Sequence, residues 1–177
     1  VGLLALVLSP VVGKNIGRVD PRYFATFAFL IFALVLWMRS MFNTQADIAT
    51  IMVPTIIQGV AMAFFFIPLV TITLSGLPPE RIPSASGLSN FVRITAGAVG
   101  TSVATTVWEN RAALHHAQLV ESITLGNPVA SSALSGLTAS GIDPQQALAQ
   151  VNRLVDQQAF MLAANDVFYV SALLFLL

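Results

Sequence analysis

The sequence predicts an all-α membrane protein with one long polar outer loop, and three observations predict it. Apolar stretches long enough to cross a bilayer alternate with short loops rich in Gly, Pro and charge. Of the 177 residues, 56% are hydrophobic and only 9% are charged, with a mean hydropathy of +0.81. Soluble domains carry about 25% charged residues. The run from Ile51 to Leu74 holds no Asp, Glu, Lys, Arg or His, and its one strongly polar side chain is Gln58. At about 1.5 Å per residue it reaches across a hydrocarbon core of roughly 30 Å. The competing reading is a soluble protein with very apolar core helices, but such helices rarely stay apolar on every face for so long.

Taken in order, membrane segments are predicted at about 1–12, 23–41, 48–77, 84–111 and 165–177. The first and last are too short to span alone, and both chain ends fall inside apolar runs. A piece of a longer protein is therefore expected, its last third. The second segment is rich in Phe, Leu and Ala, and the third contains Pro54 and Pro68. The fourth is full of small residues. Between the third and fourth, Leu77 to Pro83 reads Leu-Pro-Pro-Glu-Arg-Ile-Pro, a turn that cannot stay helical.

Lysine and arginine in the short loops set the orientation. The loop Gly13 to Arg22 carries Lys14, Arg18 and Arg22, and the loop after the third segment carries Arg81. The loop after the second has only Arg39 at its edge. The first and third loops are therefore expected in the cytoplasm, and the second loop and the long loop 112–164 outside. Residues 117–142 of that long loop, rich in Ser, Gly, Thr and Asn, are expected to be irregular. A helix then begins at Asp143, which can cap, with Pro144 at the first helical position and Gln146 able to reach back. Leu148, Val151, Val155 and Leu162 share one side, and Gln146, Gln150, Arg153 and Gln157 the other. Such a helix lies on the membrane surface or the bundle, or docks a periplasmic partner.

Composition excludes several functions. Zero net charge offers no basic field for nucleic acid. The absence of cysteine removes disulfides, thiolate chemistry and Cys-based metal sites. Adjacent His115 and His116 do not share a helix face, so they make a poor metal pair and receive no role. No phosphate-binding Gly-rich loop with its lysine supports ATP-driven transport. No catalytic Ser/His/Asp spacing stands out, and no cofactor or metal is expected.

Polar side chains inside membrane helices are costly, so each is a functional candidate. Arg93, about nine residues into the fourth segment, has three readings: a paired charge, a lining of a water-filled cavity, or a side chain snorkelling to the cytoplasmic headgroups. Gln58 either bonds across helices or contacts a solute. Ala96, Gly100 and Ala104 form one small-residue row, and Gly97, Thr101 and Thr105 another. These rows suit close helix packing. Phe64, Phe65 and Phe66 point to different sides, for packing, lipid or a hydrophobic solute. No complete membrane segment holds an interior Asp or Glu, and Glu109 and Asp166 sit at segment ends.

The run from Ile67 to Arg81, continuing through Ala85-Ser86-Gly87-Leu88-Ser89-Asn90-Phe91-Val92-Arg93 to Gly97 and Gly100-Thr101-Ser102, resembles the late part of EmrB/QacA-type multidrug exporters. These form the fourteen-helix drug:proton antiporter branch of the major facilitator superfamily. Gln58-Gly59 and His115-His116-Ala117-Gln118-Leu119 resemble that group as well. The resemblance implies helices ten to fourteen of a major facilitator bundle. It implies proton-driven export of hydrophobic drugs across the bacterial inner (cytoplasmic) membrane by alternating access. It also implies an EmrA-like periplasmic adaptor and a TolC-like outer-membrane channel as partners. Gly13 to Arg22 resembles a degenerate cytoplasmic gating motif: Gly17 stands where the motif has Asp, Arg18 is kept, and Asp20 stands where it has Gly. Arg18, Asp20 and Arg22 are the expected gating residues, Gln58 and Arg93 the substrate-pathway residues, and Gly97 and Gly100 the packing residues. A permease for a polar metabolite and a non-transporting membrane scaffold are the alternatives.

Overall fold

A computed structural model of the chain describes residues 2–15, 17–123 and 127–177. The first residue of the first predicted segment, and 124–126 of the stretch expected to be irregular, lie outside the described residues. Among the described residues, six α-helices and one 3-10 turn follow one another: α1 (Gly2–Asn15), α2 (Pro21–Arg39), α3 (Ile48–Leu74), the turn Pro79–Arg81, α4 (Ile82–Ser122), α5 (Pro128–Ala139) and α6 (Pro144–Leu174). No strand occurs among the described residues, so the all-α class is as predicted.

Local chemistry explains the boundaries. Asp20 caps α2 by accepting the Arg22 N–H at 3.0 Å, and Pro21 occupies the first turn, where no donor is needed. Asp143 does the same for α6, accepting from Gln145 N–H at 3.0 Å ahead of Pro144. Gln146, expected to reach back, makes no such bond. The α3–α4 junction breaks as the prolines require, and Gly76 takes φ +79° there, a conformation open to glycine without steric cost. Pro54 and Pro68 both lie inside α3, buried, and the helix runs through them.

Two helix pairs dominate the packing. α2 lies against α3, α4 lies against α6, and α2 joins the pairs by also meeting α6. α1 rests on α3, and α5 rests on α6. Nine of the twelve buried apolar side chains among the described residues are alanines. Small side chains let backbones approach closely, which is how helices bind one another where lipid removes the hydrophobic drive. Aromatic rings fill the remaining gaps. Phe65 of α3 meets Phe29 and Phe32 of α2, both with ring centroids 5.7 Å away, and Phe175 at the end of α6 meets the same two rings. Phe64 meets Phe24 and Phe27 instead, so consecutive phenylalanines do serve different sides.

Helix extents differ from the sequence reading in three places. α4 does not stop near 111 but runs to Ser122, because the polar residues after Trp108 find partners on α6. Part of the stretch expected to be irregular is helical, as the end of α4 and as α5. The amphipathic helix and the last segment form one continuous helix, α6. Its buried row is Ala147, Val155, Ala159 and Ala163, whereas Leu148 and Leu162 are exposed. The i, i+4 alanines win that face because α4 approaches too closely for leucine.

Candidate functional site

Among the described residues, two helices, α2 and α3, are long and apolar enough to cross a membrane. Much of their outward surface is apolar: Tyr23, Leu30 and Trp37 on α2, and Ile51, Ile56 and Val70 on α3, are all exposed. α4 is barer still. From Leu88 to Val107 its large apolar side chains are all exposed, and the groove it shares with α3 is lined by α4 residues only from Ser86 to Arg93. So much exposed apolar surface demands lipid or further protein against it.

A groove of about 220 Å3 opens where α3 and α4 meet. Phe66, Leu69, Val70 and Leu74 form its apolar wall, and Ser86, Asn90 and Arg93 supply its polar edge. Arg93 lies eleven residues into α4, roughly 16 Å along the axis. Its Nη2 donates to Asn90 Oδ1 at 2.6 Å, and its guanidinium sits 5.7 Å from the centre of the Phe66 ring. No carboxylate pairs with it among the described residues. The site thus offers an apolar surface and one cation held by an amide and a ring.

Gln58 belongs to a different contact. Arg39, at the end of α2, donates from Nη2 to Gln58 Oε1 at 2.7 Å across the α2–α3 hairpin. The same guanidinium lies 6.0 Å from the Phe168 ring of α6. One arginine therefore ties three helices together. Sequence reasoning placed Arg39 at a loop edge; its position at the end of a hairpin arm opposite an amide was the available signal. Asn90, three residues before Arg93, was legible from helical spacing but was not singled out.

Of the expected gating residues, Arg18 and Asp20 stand in the α1–α2 loop and Arg22 in the first turn of α2. Asp20 is engaged as the α2 cap, and it forms no ion pair with Arg18 or Arg22 among the described residues. Its Oδ1 accepts the capping bond from the Arg22 N–H. Outside their own stretch of helix, no described atom lies within 4 Å of where a Cβ of Gly97 or Gly100 would stand, so no other described element packs on them.

The two histidines given no role from sequence do have partners. His115 meets Asp166 and His116 meets Asp156, all between α4 and α6. Helix continuity past residue 111 brings them there, and a loop reading of 112–164 hides it.

The chain is 44% identical to the multidrug export protein EmrB of Escherichia coli K12 over 177 residues, 99% of the chain. It is 39% identical to EmrB of Haemophilus influenzae and to the fatty acid resistance protein FarB of Neisseria gonorrhoeae, again over 99% of the chain. Over nearly its whole length the chain matches EmrB-type exporters. More distant matches, to two Bacillus subtilis proteins, are named as MFS-type transporters. The EmrB-like chain spans about a third of the length of these curated relatives, 35% of each of the three named. No family model and no solved structure matches it.

Proposed function

We propose that this EmrB-like chain works as part of a proton-driven multidrug exporter of the bacterial inner (cytoplasmic) membrane. The observation that carries the reading is the 44% identity to a multidrug export protein across 99% of the chain. Geometry supports it. The α3–α4 groove is mostly apolar with a single cation, as suits hydrophobic cargo better than a polar metabolite. One relative is named for fatty acid resistance, which fits apolar cargo too.

In this reading two helix bundles rock about a midplane site and expose it to each side in turn. Arg93 lines the substrate pathway, and Gln58 braces it from α3 through Arg39. Gly97 and Gly100 pack against protein beyond this chain. Arg18 and Arg22 serve the cytoplasmic gate, with Asp20 fixing the start of α2 beside them. Membrane segments run as the basic loops direct, with the α2–α3 loop and residues 112–164 outside. The outer half of α6 with α5 then faces an EmrA-like periplasmic adaptor, which hands cargo to a TolC-like outer-membrane channel.

The test is efflux of a lipophilic fluorescent dye by the full-length protein in cells lacking their own pumps. Dye should be excluded, and exclusion should collapse when a protonophore is added. No exclusion, with protein and adaptor both shown in the membrane, sinks multidrug export for that dye. Exclusion that survives the protonophore sinks proton drive.

A further inference from the structure

A cleft of about 760 Å3 opens between α4, α6 and the α2–α3 loop, within the roughly 300–1,000 Å3 of sites that hold ligands. Its α6 wall is one helix face: Arg153, Asp156, Gln157, Phe160, Met161 and Ala164. The order is a gradient, charged at one end and apolar at the other, roughly 16 Å apart along the axis. Trp108 of α4 stands against Phe160, with ring centroids 5.3 Å apart and its indole N–H donating to the Phe160 carbonyl. Thr44 lines the cleft from the loop side.

This cleft sits where the membrane-length helices end. Arg39, the last residue of α2, lies 6.0 Å from the Phe168 ring. Asn165 donates to the Phe42 carbonyl, and Gln158 donates to Thr44. Residues 158–168 of α6 are therefore level with the ends of α2 and α3, whichever side of the membrane that is. In one direction α6 runs on beside α2, where Phe175 meets Phe29 and Phe32. In the other, exposed Arg153 reaches water. Arg153 makes no hydrogen bond or ion pair among the described residues, so its five donors are open. Asp156 accepts from Asn152 at 3.3 Å and lies 3.3 Å from His116, and a carboxylate has about four lone-pair sites. Glu109 lines the adjoining cleft, which shares Asp156 and Phe160.

We infer that this cleft binds one zwitterionic glycerophospholipid, with the phosphate on Arg153 and the primary ammonium of the headgroup on Asp156. The arginine fork matches a phosphate through two parallel bonds. The ammonium, a few bonds further on, finds the Asp156 carboxylate with Glu109 beside it. A headgroup bearing negative charge alone would meet two carboxylates for one arginine. Trp108 and Phe160 border the glycerol and the first acyl carbons, at the level where aromatic side chains mark the edge of the hydrocarbon. Towards the middle of the bilayer, α4 continues with exposed Val107, Val103 and Val99, an apolar surface for the chains. The assignment rests on the membrane helices and on the charges of the cleft, not on the cargo or the direction of transport.

The test is native mass spectrometry of the full-length protein, titrated with palmitoyl-oleoyl phosphatidylethanolamine or with the matching phosphatidylglycerol. Lipid held by the parent minus lipid held by Arg153→Ala reads this site alone. That difference should favour phosphatidylethanolamine over phosphatidylglycerol by roughly threefold to fivefold in affinity, as one partly exposed ion pair supplies. Arg153→Lys should recover part of the binding, because it keeps the charge but not the fork. Asp156→Asn should keep the Arg153-dependent binding and lose the headgroup preference, which a merely structural role would not do. Soluble glycerophosphoethanolamine at the same concentration should not compete, because it lacks the acyl carbons that the aromatic wall borders. Equal binding by the parent and Arg153→Ala overturns the site. A preference for phosphatidylglycerol, or one for phosphatidylethanolamine that survives Asp156→Asn, overturns the zwitterionic assignment. Competition at parity by the soluble headgroup overturns the lipid. The readout uses no drug, so a failed efflux assay and a failed lipid site remain distinguishable.

Discussion

Arg39 and Gln58 meet at 2.7 Å in a half-buried setting, and the guanidinium also leans on Phe168. A hydrogen bond to a charged group contributes more than a neutral one, though inside membrane proteins the measured average is modest. Gln58→Ala should therefore lower the stability of the full-length protein by about 1 kcal/mol. A double-mutant cycle with Arg39→Ala, read by denaturant unfolding, should show the two changes to be non-additive; additivity would mean that the bond contributes nothing. Arg93 has a different kind of partner, the Phe66 ring and the Asn90 amide. Arg93→Ala removes both contacts and the cation that lines the groove. Dye efflux should fall by about tenfold, since an exposed cation–π contact of about 0.5–1 kcal/mol together with a hydrogen bond to a charged group comes to at least about 1.4 kcal/mol. Arg93→Lys keeps the charge but not the flat fork, so it should fall between the two. Unchanged efflux in Arg93→Ala, at equal protein level, would remove Arg93 from the pathway.

At the scale of elements, the α4–α6 pair depends on small side chains. Ala159 and Ala163 are almost wholly buried, as is Ala112 on α4. Ala159→Leu should destabilise by about 1–3 kcal/mol, because the added carbons force the helices apart. Leu148, on the same helix but 56% exposed, is the control. Leu148→Ala should change stability by no more than about 0.5 kcal/mol. Thermal unfolding of both variants checks the pair, and a larger loss for Leu148 would place the buried face where hydropathy alone suggested. Trp108 adds a polar fastening to this pair, donating from its indole to the Phe160 carbonyl at 3.0 Å. On the other side of α6, Asn165 donates to the Phe42 carbonyl at 2.8 Å and Gln158 to Thr44 Oγ1 at 2.9 Å. The α2–α3 loop is thereby tied to α6.

At the scale of the whole molecule, the exposed apolar surface of α2, α3 and the middle of α4 calls for lipid or protein against it. The topology can be tested directly because this sequence contains no cysteine. In a cysteine-free full-length background, Gln45→Cys and Ser135→Cys should react with a membrane-impermeant maleimide added to intact spheroplasts. Glu80→Cys should react only after lysis. Labelling of Glu80→Cys from outside, or protection of the other two, would invert the proposed arrangement.

What the sequence determined by itself was everything governed by composition and short-range chemistry. Apolar run length set α2 and α3 as membrane-length helices. The pairs Asp20-Pro21 and Asp143-Pro144 set where α2 and α6 begin, since a cap acts within two or three residues. The prolines near 78–83 set the α3–α4 break. Tertiary structure decided what a local pattern cannot hold: which face meets which. Ala159 rather than Leu148 is buried because the facing helix sets how much room there is, and that helix is distant in sequence. The same holds for polar side chains. Gln58 found an arginine nineteen residues away, and His115 an aspartate fifty-one away. A side chain's chemistry can be read from its letter, but its partner depends on helix register, which only packing settles.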